Sequence, residues 1–160
     1  MKPTAVNGVT LYVDFAAPPA EPDWTDPAAV TAYLVDFDRR LSGPEFFDEA
    51  HTRAIVEQIV RRSTDMRAGT TNHWQIDDGV PPRQGMTAID APTLVIHGTA
   101  DPMFQYPQHP EALVREIRDA TLLPLPGVGH QTPPPKVWPA VVPAILKHTE
   151  HRRSAVSGPL

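Results

Sequence analysis

Apolar residues recur along this chain with two different periods, and the changes of period mark out its elements. Residues 9–15, V-T-L-Y-V-D-F, place Val9, Leu11 and Val13 on one side, the pattern of a strand. A proline-rich stretch follows. Asp26 and Pro27 then make a helix start, an N-cap acceptor ahead of proline at the first helical position. Val30, Leu34, Phe37 and Leu41 fall at i, i+4, i+7 and i+11, one apolar stripe of a helix that stops at Ser42-Gly43-Pro44. A second helix is expected over 48–62, burying Ile55, Val56, Ile59 and Val60, and a short one around 72–76 before the loop D-D-G-V-P-P-R-Q-G. Residues 93–96 are apolar without alternation, which predicts a strand buried on both faces, as in a parallel sheet. A helix over 110–119 should turn Leu113, Val114 and Ile117 inward, and a strand should follow over 121–125. Residues 138–148 close the pattern as an amphipathic helix with Val141, Val142, Ile145 and Leu146 apolar and Pro143 as a kink.

This order of strand, helical excursion, strand, helix, strand, helix argues for an α/β layer. It divides the chain into a first strand region 1–16, a helical excursion 17–88, a core region 89–151 and a frayed tail 152–160. At 160 residues one domain with a proper core is expected. Its 20 prolines are well above the usual share of about 5%, but many cluster at 18–19, 81–82 and 133–135, as loop punctuation. A net charge of −5 argues against a nucleic-acid partner, which calls for a basic surface. No run approaches the ~18 apolar residues of a membrane span. The opening M-K-P-T-A-V-N-G-V lacks the pattern of a secretory leader, so a cytoplasmic location is expected.

Two residues carry candidate chemistry. Asp101 follows the strand that ends at Gly98, and His130 follows the strand that ends before P-G-V-G. Functional groups gather at the carboxyl ends of strands in open α/β sheets. Taken singly, such an aspartate is commonly a turn residue and such a histidine commonly structural. As a pair at two strand ends they match the acid and base of a nucleophilic triad, in which the carboxylate orients the imidazole and stabilises its cation. Pro102 holds Asp101 in extended backbone, and Gly127 and Gly129 permit the turn that presents His130. The nucleophile is missing. Serine occurs at 42, 63, 154 and 157, never in a G-x-S-x-G turn, and there is no cysteine. His97 with Asp101 is a close His/carboxylate pair without a third ligand at usable spacing, so no metal is expected. Gly98 opens no G-x-G-x-x-G run, and no cofactor is expected. Trp74, Met103 and Phe104 are candidates to line an apolar substrate pocket, with plain packing as the competing role.

The run P-T-L-V-I-H-G-T-A-D-P, the later P-G-V-G-H and the helix carrying Trp138 resemble the C-terminal part of an α/β-hydrolase. L-S-G-P-E-F-F-D-E-A and N-H-W resemble the helical cap of esterases related to the aclacinomycin-type methyl esterases, although Gln131 stands where that subgroup often has an acidic residue. P-T-A-V-N-G-V-T-L resembles the family's sixth strand. The resemblance implies Asp101 as triad acid, His130 as base, a cap over 17–88, and a C-terminal part-sheet of about three parallel strands without the nucleophile half. The expected function is a partial carboxylic-ester hydrolase, with little or no esterase turnover alone, whose complete form would act on a small-molecule ester. The alternative is a non-catalytic α/β binding module, or a half-domain that complements a partner chain. Residues 9–15 would then form a sheet edge open to a partner chain or to self-association.

Overall fold

The computed structural model describes residues 4–6, 9–11, 20–72 and 85–156, with side chains described over 20–72 and 85–150. The chain is a mixed α/β protein whose parallel sheet has two strands among the described residues. Strand β1 (Thr4–Val6) pairs antiparallel with β2 (Val9–Leu11), Thr4 opposite Leu11 and Val6 opposite Val9. Helices α1 (Pro27–Leu41), α2 (Glu49–Arg62) and α3 (Met66–Thr71) follow. Strand β3 (Thr93–Gly98), helix α4 (Gln108–Glu116), strand β4 (Ala120–Leu125) and helix α5 (Trp138–Val156) complete the order.

Aspartates start the three α-helices described in the excursion. Asp26 accepts from Ala28 N–H at 2.9 Å, Asp48 from His51 N–H at 3.0 Å and Asp65 from Ala68 N–H at 2.9 Å. Each bond satisfies a donor that the first helical turn leaves open. Helices α1 and α2 pack on each other, and Glu49 joins them at their exposed edge by accepting from both Arg39 and Arg53. The apolar pattern does not foretell helix α3, and of the expected helix at 72–76 only Asn72, the C-cap of α3, lies within the described residues.

Strands β3 and β4 pair parallel, with Val95 opposite Leu122 and Ile96 opposite Leu123. Helix α4 packs against both strands and α5 against β3. Leu125, Val128 and Val141 form a buried cluster, with Phe46, Ile96, Leu123 and Val137 packed around it.

Several expectations are corrected. The parallel sheet has two strands among the described residues, not three, because β2 pairs with β1 instead of joining it. Asn7-Gly8 stands between them, the strongest short-range hairpin signal, and residues 12–15 of the expected strand lie outside the described residues. Strand β3 is half-buried from Thr93 to His97, not buried on both faces. On α2 only Val56 of the four expected residues is buried, while Ile55 and Ile59 are 43% and 49% exposed. On α5 only Val141 is buried, and Val142, Ile145 and Leu146 are exposed. On α4 it is Pro110 and Ala112 that are buried, with Leu113 and Val114 only half-buried, while Ile117, the C-cap just beyond the helix, is buried as expected. Helix α5 also runs on to Val156, through the start of the expected tail. Among the described residues no helix is long and apolar enough to cross a membrane.

Candidate active site

Two loops are laced together above the carboxyl ends of β3 and β4. Thr99 N–H donates to Leu125 C=O at 3.0 Å, Ala100 N–H to Val128 C=O at 2.9 Å, and Gly127 N–H to Thr99 Oγ1 at 2.9 Å. Gly98 ends β3 directly under the second loop, where a Cβ would strike the carbonyls of Val128 and Gly129. Gly127 turns that loop with φ +74°, a left-handed conformation that favours glycine.

The lacing brings Asp101 and His130 together across 29 residues of sequence, with imidazole Nδ1 2.9 Å from carboxylate Oδ2. The other oxygen, Oδ1, accepts the backbone N–H groups of Met103 at 2.8 Å and Phe104 at 2.9 Å. Asp101 is thus both the turn residue that its place after Gly98 suggests and the imidazole's partner. Burial pushes its carboxyl up, but the bonds from His130, Phe104 and Met103 outweigh that and hold it below the ordinary carboxylate value. The bond to Asp101 holds His130 above its ordinary 6.5, against the opposing effect of burial. With Nδ1 engaged, Nε2 has no hydrogen-bond partner among the described residues, and the His130 side chain is 38% exposed.

A cleft of about 740 Å³ opens beside this imidazole. Among the described residues, Phe104, Trp138, Phe46 and Ile55 give it an aromatic and aliphatic part and Asp38 and Asp48 an acidic one, and neither lysine nor arginine lines it. The connection between α1 and α2 forms one wall, fastened to the His130 loop at three points. His130 N–H donates to Leu41 C=O at 2.8 Å, Gly43 N–H to Gln131 Oε1 at 2.9 Å, and Gln131 Nε2 to Phe46 C=O at 3.3 Å. Gly129 fits beneath it, because a Cβ there would strike backbone atoms of Leu41, Ser42 and Gly43.

Of the residues singled out from sequence, Asp101, His130 and Phe104 meet at this cleft. Met103 does not line it and contributes its backbone N–H alone. Trp74 lies outside the described residues. Ser42 lines the cleft, but its backbone is ordinary extended chain (φ −73°, ψ 149°), not a strained nucleophile turn, and no hydrogen bond joins its hydroxyl to His130. Among the described residues no group of three or more His, Cys, Asp or Glu side chains could hold a metal ion.

Sequence reasoning misses the part of Gln131 and Phe46 in this wall, because their contacts span 85 to 88 residues and leave no local signature. The role of His97 is half visible, since its spacing from Asp101 stands out but not its bond to Phe104 C=O. Compared with models of known protein families and with curated proteins, the chain matches none.

Proposed function

We propose that Asp101 and His130 are the acid and base of a Ser-His-Asp carboxylic-ester hydrolase whose serine comes from polypeptide other than these 160 residues. The observation that carries this reading is the 2.9 Å bond from imidazole Nδ1 to a carboxylate whose other oxygen is already fixed by two backbone N–H groups. That arrangement leaves Nε2, the atom that must exchange protons, without a hydrogen bond among the described residues, on a side chain that lines the cleft.

In the reaction, Nε2 takes the proton of a serine hydroxyl as its oxygen attacks the ester carbonyl. Asp101 stays ionised and stabilises the imidazolium. The imidazolium then protonates the departing alkoxide, and water activated at the same Nε2 releases the acid from the acyl-enzyme. The aromatic part of the cleft, and a described lining without lysine or arginine to hold an anion, suit a small uncharged ester. Helices α1 and α2 serve as its cap in this reading, and β3 and β4 as the end of a larger hydrolase sheet.

A second reading, an apolar ligand site without catalysis, is favoured by the cleft alone. A fluorophosphonate probe followed by mass spectrometry tests the leading one. No serine of the isolated chain should carry an adduct, because none stands in a G-x-S-x-G sequence. A stoichiometric adduct on Ser42 or Ser63 would overturn the assignment of the nucleophile to other polypeptide.

A further inference from the structure

His97 is the last side chain of β3 before Gly98, and its imidazole is almost wholly buried, with 10% of the side chain exposed. Its Nε2 lies 2.7 Å from the carbonyl oxygen of Phe104. A carbonyl only accepts, so Nε2 carries the hydrogen. Phe104 is therefore gripped at both ends: its C=O by His97, its N–H by Asp101 Oδ1 at 2.9 Å. Its ring also packs on the functional imidazole, with centroids 5.3 Å apart. His97 itself is 3.9 Å from Asp101 Oδ2, beyond hydrogen-bonding distance. Its hydrogen-bonded link to the carboxylate runs through Phe104.

We propose that His97 is a positioning residue: by holding the Phe104 carbonyl, it keeps the Met103 and Phe104 N–H groups on Asp101 Oδ1, which leaves Oδ2 for His130. Without that bond the turn over 101–104 has no side-chain anchor on the strand below it. Oδ1 and Oδ2 could then exchange partners, and the bond that raises His130 would weaken. The proposal rests on the acid–base reading of Asp101 and His130 and adds to it a residue that never meets the substrate.

The test is a titration of the histidines by ¹⁵N-edited NMR in the full chain, for the parent, His97→Gln and His97→Leu. Gln can place a donor close to the position of Nε2, while Leu keeps bulk without a donor. In the parent, His97 should show its hydrogen on Nε2, and His130 should titrate above 6.5. His97→Gln should leave that inflection nearly in place. His97→Leu should lower it by about half a unit or more, since the hydrogen bond that raises it is weakened. Equal inflections in the parent and His97→Leu, or an equal fall in both variants, would overturn the proposal and leave the Asp101–His130 pair standing. A parent His130 that titrates at its ordinary value would instead remove the pair itself. If His97→Leu does not fold, the parent's tautomer decides, because a hydrogen found only on Nδ1 contradicts the bond to Phe104.

Discussion

At the scale of single residues, the Asp101–His130 pair makes stability depend on pH in a defined window. Asp101 titrates below its ordinary 3.8, so its contribution is present above that value and is lost as pH falls through the lowered one. His130 titrates above its ordinary 6.5, so its contribution is complete below that value and is lost as pH rises through the raised one. Both hold between the two ordinary values. Asp101→Asn should therefore cost most near pH 5 and progressively less on the alkaline side, where a neutral imidazole can accept from the new amide. The cost near pH 5 should be about 1 kcal/mol, a charge-assisted bond discounted for screening because the His130 side chain is 38% exposed. Chemical denaturation at several pH values measures it, and a deficit independent of pH would contradict the linkage. Asp101 and His130 can be read from the sequence because each follows an apolar strand and a glycine. Gln131 cannot, since nothing local distinguishes it from any other loop glutamine.

At the scale of elements, two glycines make opposite demands. Gly129 lies against the backbone of residues 41–43, and those atoms cannot yield as a flexible side chain would. Gly129→Ala should destabilise by about 2 kcal/mol, the usual cost of overpacking, and should loosen the α1–α2 connection from the His130 loop. Gly69, inside α3, has open space where an alanine methyl would stand, with nothing within 4 Å of it, so Gly69→Ala should stabilise by about 0.5–1 kcal/mol. Thermal unfolding of the two variants beside the parent separates them, and equal shifts would contradict the packing described. Helices α1 and α2 can be anticipated to within a residue because Asp26-Pro27, Asp48 and Ser42-Gly43-Pro44 are strong boundary signals. Which of their apolar residues are buried cannot, because periodicity gives the width of a stripe but not how much of it a neighbour covers. Val9–Leu11 has strand composition, yet composition does not choose between a hairpin and a place in the parallel sheet.

At the scale of the whole molecule, Trp138, Val142, Ile145 and Leu146 leave one side of α5 apolar and 43% to 56% exposed. Surfaces of this kind associate, and in a pure sample the available partner is another copy. Light scattering at tens of micromolar should give a mass above the 17.6 kDa of one chain, and Val142→Glu with Leu146→Glu should return it toward that value. A monomeric parent would contradict this.

The base assigned to His130 is tested most directly by the pH-rate profile of p-nitrophenyl acetate hydrolysis by the isolated chain, a substrate reactive enough for water to attack without a serine. A base works deprotonated. The slow rate should rise with pH to a plateau, with its inflection above 6.5 and at a lower pH in Asp101→Asn. The enhancement over buffer should vanish in His130→Ala. A His130→Ala chain that hydrolyses the ester as fast as the parent across the whole pH range would contradict the assignment.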